Sequence, residues 1–272
     1  MNIPDDFKWD EYLELNKDLG NAGIRTKYDA IIHWIEYGMN ENRRYNISET
    51  FLFPKNKKAA YISSWDDSSN IDSFLHIIQI CKEINLELPL TLFLNTSELD
   101  NINITKYRRI LNDNIHTVES HSINHNSNSI NNINEYSESQ QIIRNLFGEN
   151  YAKTYCYPFG KISKNKVIKD KIQNTYLGAR TTLPGYISKK EIFNLRCIPI
   201  ELINENIVNN AIKSNKAIIT YGHGVSGVGG WNPVDRNQLI KHLKFLNTMK
   251  DNIWFTTLPK FIEYLIETKQ IF

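Results

Sequence analysis

Two histidines four residues apart are the most obvious candidates for chemistry in this sequence. His121 and His125 directly follow a short β-like run at 116–120. In a helical turn, or in a tight loop leading into one, residues i and i+4 point the same way, so both rings could reach one metal ion. A carboxylate commonly completes such a hydrolytic zinc-type site and leaves one position open for water. Asp66 and Asp67, which follow the β-like run at 59–63, are the candidates for this third ligand.

Each candidate also has an interpretation that involves no chemistry. Asp66 and Asp67 could cap the turn or helix that follows them, a common use of aspartate. His121 and His125 lie in a stretch rich in Asn and Ser, so a polar loop is an alternative. His223 lies between two glycines and could be an incidental side chain in a tight turn. The predicted secondary structure helps to decide between these interpretations.

From residue 59 onward, β-like runs alternate with helical patterns. The β-like runs are 59–63, 90–94, 117–120, 153–157, 176–180, 195–200, 217–221 and 253–256. The helical patterns are 71–84, 105–111, 135–147, 164–172, 207–213 and 237–249. Strict alternation predicts an α/β fold with a parallel sheet and crossover helices, and this many repeats favour a barrel over an open sheet.

The candidate residues all follow predicted strands. In β/α barrels the reactive groups gather on the loops at the carboxyl ends of the strands. The candidates follow the first, third, fourth and seventh runs: Asp66 and Asp67, His121 and His125, Pro158-Phe159-Gly160, and His223. Because four separate segments place polar or turn-forming residues at the same edge, we favour a shared metal site over the interpretations without chemistry.

The first 50 residues differ from the rest and predict a small helical module. Apolar residues have helical spacing over 9–19, and a second helix begins at Thr26, where Asp29 can complete a capping box. Two short helices bury little apolar surface alone, so we expect them to pack on the main domain or on a partner, with self-association as one form of this. We therefore divide the chain into a helical module, residues 1–50, and a barrel domain, residues 51–272.

Composition argues against several classes of function. A net charge of +2 over 272 residues gives no support for a nucleic-acid-binding surface, which would need basic residues concentrated on one face. Cys81, Cys156 and Cys197 are odd in number and lie in apolar runs, so we expect buried free thiols and a reducing compartment. The N-terminus lacks the pattern of a signal peptide, and no apolar run is long enough to span a bilayer. These observations predict an intracellular protein without nucleic-acid or membrane partners.

The order of the motifs resembles that of the polysaccharide deacetylase family, carbohydrate esterase family four, over roughly residues 59–267. The motifs are Trp65-Asp66-Asp67, His121-Ser122-x-x-His125, Tyr157-Pro158-Phe159-Gly160 and Tyr221-Gly222-His223-Gly224. The N-terminal segment is similar to a helical module found beside glycan-building enzymes. The resemblance implies a distorted, incomplete β/α barrel of about seven parallel strands with a small N-terminal helical segment. It also implies metal-dependent removal of an acyl group, usually acetyl, from a sugar.

The resemblance also implies a role for each matching residue. Asp67, His121 and His125 match the metal ligands, Asp66 the general base and His223 the general acid. The expected cofactor is a divalent ion, with zinc first and cobalt or nickel as alternatives. The expected substrate is an acetylated sugar or glycan, as in the biosynthesis of a surface glycan. The expected substrate-contacting residues are Tyr157, Pro158, Phe159, Gly160, Tyr221 and Trp231.

One departure from the family keeps other functions open. Many members have an arginine just before the Pro-Phe-Gly element that orients the catalytic aspartate, but this chain has residues 155–157, Tyr-Cys-Tyr, there. Arg180 and Arg196 are candidates to supply the charge instead. If neither does, the barrel could be a glycan-binding or scaffold domain with little or no turnover. A third alternative is an amide hydrolase that acts on a substrate other than a sugar.

Overall fold

The computed structural model describes most of the chain. The described residues are 3, 7–41, 43, 45, 50–126 and 129–271. The absence of a signal-peptide pattern was inferred at residues 1–6, most of which lie outside this description. The chain forms two compact units, residues 1–49 and 50–272.

Three short helices and a π-helical turn make up the first unit. They are α1 (Trp9–Leu15), α2 (Lys17–Asn21), α3 (Lys27–His33) and the turn Trp34–Gly38. The capping box predicted at Thr26 and Asp29 is confirmed. The single helix predicted over 9–19 is wrong, because Asn16 leaves helical geometry, with φ −127° and ψ 68°, and donates a hydrogen bond to the Tyr12 carbonyl. The break lets Tyr12 and Leu19 share one core with Trp34.

The second unit contains eight strands and seven longer helices among the described residues. The strands are β1 (Ala59–Asp66), β2 (Leu90–Leu94), β3 (Thr117–Ser120), β4 (Thr154–Cys156), β5 (Gly178–Arg180), β6 (Ile198–Pro199), β7 (Ala217–Gly222) and β8 (Ile253–Phe255). The helices are α4 (Ile71–Glu83), α5 (Asn101–Leu111), α6 (Asn134–Phe147), α7 (Lys166–Thr175), α8 (Glu205–Lys213), α9 (Arg236–Thr248) and α10 (Leu258–Glu267).

The strands form one parallel sheet. Seven lie side by side in the order β5-β4-β3-β2-β1-β7-β6, and β8 pairs with the first half of β1. Hydrogen bonds also join β5 to the segment at 192–195, which leads into β6. This is the distorted, incomplete β/α barrel predicted from the sequence, so the predicted fold is confirmed.

Strand β1 is the most central element and is buried along its whole length. Its residues alternate between two cores, as a pleated strand requires. Ala59 and Tyr61 belong to the core that also includes residues of α4, α5 and α9, whereas Ala60 and Ile62 belong to the core that also contains Cys156 and Cys197. By the same alternation Asp66 faces this second core, at the carboxyl end of the strand.

Three cysteines and two histidines outside the predicted site are buried. The three cysteines are free and buried, as predicted. The Nδ1 atom of His116 accepts the Leu90 backbone N–H, and Nε2 of His242 lies 2.9 Å from the Tyr61 hydroxyl. None of the helices in the described part of the chain is both long and apolar enough to cross a membrane.

The two buried histidines predict loss of stability in acid. Burial lowers the pKa of His116 and of His242 to about 4, whereas an unfolded histidine titrates near about 6.5. The unfolded chain therefore binds protons first, so this stability is present above about pH 6.5 and is lost as the pH falls toward 4. The effect of His242 amounts to about 3 kcal/mol at most.

Chemical denaturation of the His242→Gln variant between pH 4 and 8 tests this assignment. Glutamine can still accept the Tyr61 hydroxyl, so the variant should lose less stability on acidification than the wild type. His76→Gln is the control, because His76 is only half-buried. An unchanged acid slope in His242→Gln would show that another group causes the loss.

Candidate active site

A cleft of about 540 Å³ lies at the carboxyl ends of the strands. Its lining residues are Asp66, Asp67, Ser69, Glu98, His121, His125, Tyr157, Phe159, Gly160, Thr182, Tyr221, His223 and Trp231. The cleft thus brings together ten of the eleven site residues predicted from the sequence. Pro158 is the exception, because it is buried at the start of a short 3₁₀ turn. Ser69, Glu98 and Thr182 line the cleft but were not predicted, since nothing in their local sequence marks them.

Asp67, His121 and His125 form a candidate metal centre. Their ligand atoms all lie within 4.8 Å of one another. The Nδ1 atom of His121 lies 2.8 Å from the Cys156 carbonyl oxygen, so it donates to that oxygen and leaves Nε2 as the free ligand atom. Metal-binding histidines are commonly oriented by such a second hydrogen bond. One carboxylate, two imidazoles and an open cleft therefore fit a divalent cation with room for further ligands.

The histidines lie in a loop rather than on a helix. Ser122 and His125 have positive φ angles of 71° and 45°, and the His125 backbone N–H donates to Ser122 Oγ. Such conformations are costly for residues other than glycine and persist only where the surroundings impose them. Here the loop is held by Glu135, whose carboxylate accepts the backbone N–H groups of Ile123 and Asn124 and the Asn124 side-chain amide.

Glu135 is therefore expected to support metal affinity without touching the metal. The Glu135→Ala variant loses three hydrogen bonds to the histidine loop, so we expect metal affinity to fall about 10–100-fold, as is typical when an outer partner of a ligand is removed. Competition titration with a chromogenic chelator measures the change. Glu138→Ala, an exposed position on the same helix, is the control. Equal affinities of the two variants would contradict the role given to Glu135.

Asp66 is held by a buried arginine. Arg180, at the end of β5, is fully buried and its Nη2 donates to Asp66 Oδ1. The guanidinium also lies over the rings of Phe93 and Tyr221, at 5.0 and 5.2 Å from the centroids. Burial alone would raise the pKa of the Asp66 carboxyl, but the charges of Arg180, His121 and His223, together with the hydrogen bond from Arg180, outweigh burial and the pKa is lowered. The carboxylate therefore stays ionised while buried.

Arg180 thus occupies the role that the sequence left unassigned. It pairs in register with Cys156 of β4, and Cys156 Sγ lies 3.9 Å from the other oxygen of Asp66. In many family members the arginine lies just before the Pro-Phe-Gly element, which follows β4. Here the guanidinium comes instead from β5, the neighbouring strand. Arg196, the other candidate, has a side chain that is 43% exposed, and its Nε lies 3.8 Å from a Glu191 carboxylate oxygen.

The two adjacent aspartates have different environments. Asp67 has a φ of 74° and so leaves the extended geometry of β1, which ends at Asp66. Burial and the neighbouring charge of Asp66 raise the pKa of Asp67 to about 6. The Asp67 side chain makes no capping hydrogen bond to the turn that follows. The alternative role of Asp67 as a cap is therefore not observed.

His223 follows β7 and lies near Asp66. Its Nε2 lies 4.0 Å from Asp66 Oδ2, and Trp231 packs edge-on against the ring at 4.9 Å. The glycine before it is sterically required, because a Cβ at Gly222 would lie 2.7 Å from the Trp65 ring. His223 is therefore held between a core strand and the rim of the cleft.

Two exposed aromatic rings border the cleft. Trp231 is 71% exposed and contacts His223, whereas Phe159 is 51% exposed and lies 4.7 Å from His125. Gly160 has a positive φ, and a Cβ there would lie 2.0 Å from Thr182 Oγ1, so the turn that presents Phe159 depends on this glycine. Rings of this kind can stack on the apolar face of a sugar.

These features define a class of protein: a β/α barrel with a candidate metal centre at the carboxyl ends of its strands. Residues 54–176 match the sequence model described as polysaccharide deacetylase. The match includes Asp66, Asp67, His121 and His125, and ends before Arg180. The resemblance predicted from the motifs is confirmed. No protein with a curated description matches the chain.

Several solved structures are similar to this one. A candidate polysaccharide deacetylase from Mycobacterium smegmatis gives a TM-score of 0.57 at 12% identity, covering 82% of this chain and 96% of its own. The Xyl-CE4 domain of a xylanase from the hindgut metagenome of Trinervitermes trinervoides gives a TM-score of 0.50 at 20% identity. The alignment covers 77% of this chain and 91% of that domain. A mutant of peptidoglycan deacetylase PdaC from Bacillus subtilis gives a TM-score of 0.51 at 14% identity. The alignment covers 80% of this chain and 96% of the mutant's chain. At these identities the similarity establishes the fold.

Proposed function

We propose that this protein is a metal-dependent hydrolase that removes the acetyl group from an N-acetylated sugar or glycan. The supporting observation is that Asp67, His121 and His125 converge in one cleft with Asp66 and His223, in a chain with a polysaccharide deacetylase segment. The structural relatives include a peptidoglycan deacetylase and a carbohydrate-esterase domain, which suits a sugar substrate. Intracellular location and the absence of nucleic-acid and membrane partners stay predictions.

Asp67, His121 and His125 would hold the metal, with zinc as the first expectation and cobalt or nickel as alternatives. A bound divalent cation would polarise the acetyl carbonyl and acidify water. Asp66, kept ionised by Arg180, takes the proton from the attacking water. His223 donates a proton to the departing nitrogen when the C–N bond breaks, so acetate and a free amine leave. The Phe159 and Trp231 rings stack on the sugar at the two sides of the cleft.

The missing family arginine was one of two reasons for considering a barrel without turnover, the other being the absence of the acidic element that usually accompanies the acid histidine. Because Arg180 supplies a guanidinium to Asp66, the first reason is removed and the hydrolase is favoured. The other alternative, an amide hydrolase that acts on a substrate other than a sugar, differs from the proposed deacetylase only in the compound that the cleft binds. The exposed aromatic rings at its border favour a sugar.

Acetate release by the full-length protein tests the proposal. Metal-free protein is compared with protein that has been reloaded with zinc, cobalt or nickel, on N-acetylglucosamine, nucleotide sugars and N-acetylated oligomers. We expect no release without metal, and release from at least one N-acetylated sugar after reloading. If the reloaded protein acts only on amides of other compounds, the sugar assignment is wrong. If it releases no acetate from any substrate, the hydrolase assignment is wrong.

A further inference from the structure

We propose a second metal position, deeper than the first, in which Cys156, His121 and Asp66 bind a thiophilic divalent cation and block the site. The ligand atoms of these three residues lie within 4.8 Å of one another, and all three side chains are buried. The first position would use Asp67 and His125 with the same His121. The two positions therefore share one imidazole and are mutually exclusive.

The distances suit a single ion. Cys156 Sγ lies 3.9 Å from His121 Nε2 and 3.9 Å from Asp66 Oδ2. Zinc bonds are about 2.3 Å to sulfur and about 2.0–2.2 Å to nitrogen or oxygen. Each pair of bonds therefore sums to about 4.3–4.5 Å, which exceeds the separation of its donor atoms. The third separation, between the His121 nitrogen and the Asp66 carboxylate oxygen, is at most 4.8 Å. One ion can therefore contact all three atoms with bent angles and at most a small shift of these side chains.

The hydrogen bonds leave the required atoms available. Arg180 binds Oδ1 of Asp66, so Oδ2 remains for the ion. His121 uses Nδ1 toward the Cys156 carbonyl, so Nε2 remains. When the sulfur–metal bond forms, the thiol proton is released to water. Two positive charges then enter a site that already contains the Arg180 guanidinium, and they are partly balanced by the thiolate and the Asp66 carboxylate.

Occupation of this position would inhibit the enzyme, an effect that rests on the proposed function. The ion would take His121 from the first position and would bind the carboxylate that accepts the proton of water. Thiolate is a soft ligand, whereas the first position offers only carboxylate and imidazole. Soft cations such as cadmium would therefore prefer the deeper position, and excess zinc would reach it at higher concentration.

Cadmium titration of the full-length, metal-free protein tests the binding directly. We expect one ultraviolet cadmium–thiolate band per protein in the wild type and in Cys81→Ser, whose thiol lies in α4. The band should be absent in Cys156→Ser and weakened in His121→Ala. A Cys81→Ser/Cys197→Ser variant, which keeps Cys156 as its only thiol, should retain the band and provides a test that leaves all three ligands in place. A band that persists in Cys156→Ser, or disappears from the variant with one thiol, would overturn the proposal.

Inhibition supplies the second readout. Removal of an outer partner of a ligand already costs 10–100-fold in metal affinity, so loss of the thiol itself should raise the half-inhibiting cadmium concentration at least about tenfold. Each variant is compared with its own uninhibited rate. If cadmium forms the thiolate band but the zinc-loaded protein releases no acetate, the binding site stands and the proposed function fails. If acetate is released and no band forms, the function stands and this site is wrong.

Discussion

Replacing Arg180 by methionine is expected to lower the free energy of unfolding by about 3–5 kcal/mol, because it leaves the buried Asp66 carboxylate without its partner. Asp66 is 2% exposed and Arg180 is fully buried, so solvent cannot replace the lost interaction. Without the guanidinium the pKa of Asp66 rises, and the acid limb of the pH–rate profile moves to higher pH. We also expect turnover to fall about 100-fold, a typical cost when a reacting group is misplaced.

The double variant Arg180→Met/Asp66→Asn separates charge from packing. Removing the carboxylate as well should recover part of the lost stability, since no ionised group is then left unpaired. Activity should not recover. Arg196→Met is the control, because that guanidinium is exposed and its contact with Glu191 is worth little. If the double variant is less stable than Arg180→Met alone, the ion pair is not the source of the loss.

The position of Arg180 also shows why the sequence predicted only part of the site. Strand ends can be located along the chain, since apolar runs alternate with helical patterns, and Asp66, His121 and His223 follow from that placement. The pairing of Arg180 with Cys156 depends on the register between two short strands. No local pattern encodes this register, so the sequence could name Arg180 only as one of two candidates.

The supporting residues were missed for a related reason. Glu135 lies on a helix that begins more than ten residues after His121, and its local sequence is that of an ordinary amphipathic helix. Its bonds to Ile123 and Asn124 exist only because the loop folds back onto that helix. The first helix was predicted too long because apolar spacing continues across Asn16. A side-chain bond to the backbone ends α1 there, and such local bonds compete with helical periodicity.

The two adjacent aspartates should fail in different ways when each is replaced by asparagine. Asp66→Asn keeps an oxygen for Arg180 but cannot accept a proton from water, so we expect acetate release to fall by about 10²–10⁴. Metal affinity should change little, because Asp66 is not a ligand of the proposed first position. Asp67→Asn removes a charged ligand instead, so metal affinity should fall at least about 10–100-fold.

Zinc competition titrations and acetate assays at saturating zinc distinguish the two losses. For Asp67→Asn, raising the zinc concentration, up to the point at which the deeper position fills and inhibits, should recover part of the activity, because the remaining defect is one of occupancy. For Asp66→Asn, no zinc concentration should restore it, because the missing group is the one that takes the proton. The opposite pattern would exchange the roles of the two carboxylates. Asp66 would then be the ligand, and Arg180 would hold a metal-binding group rather than a base.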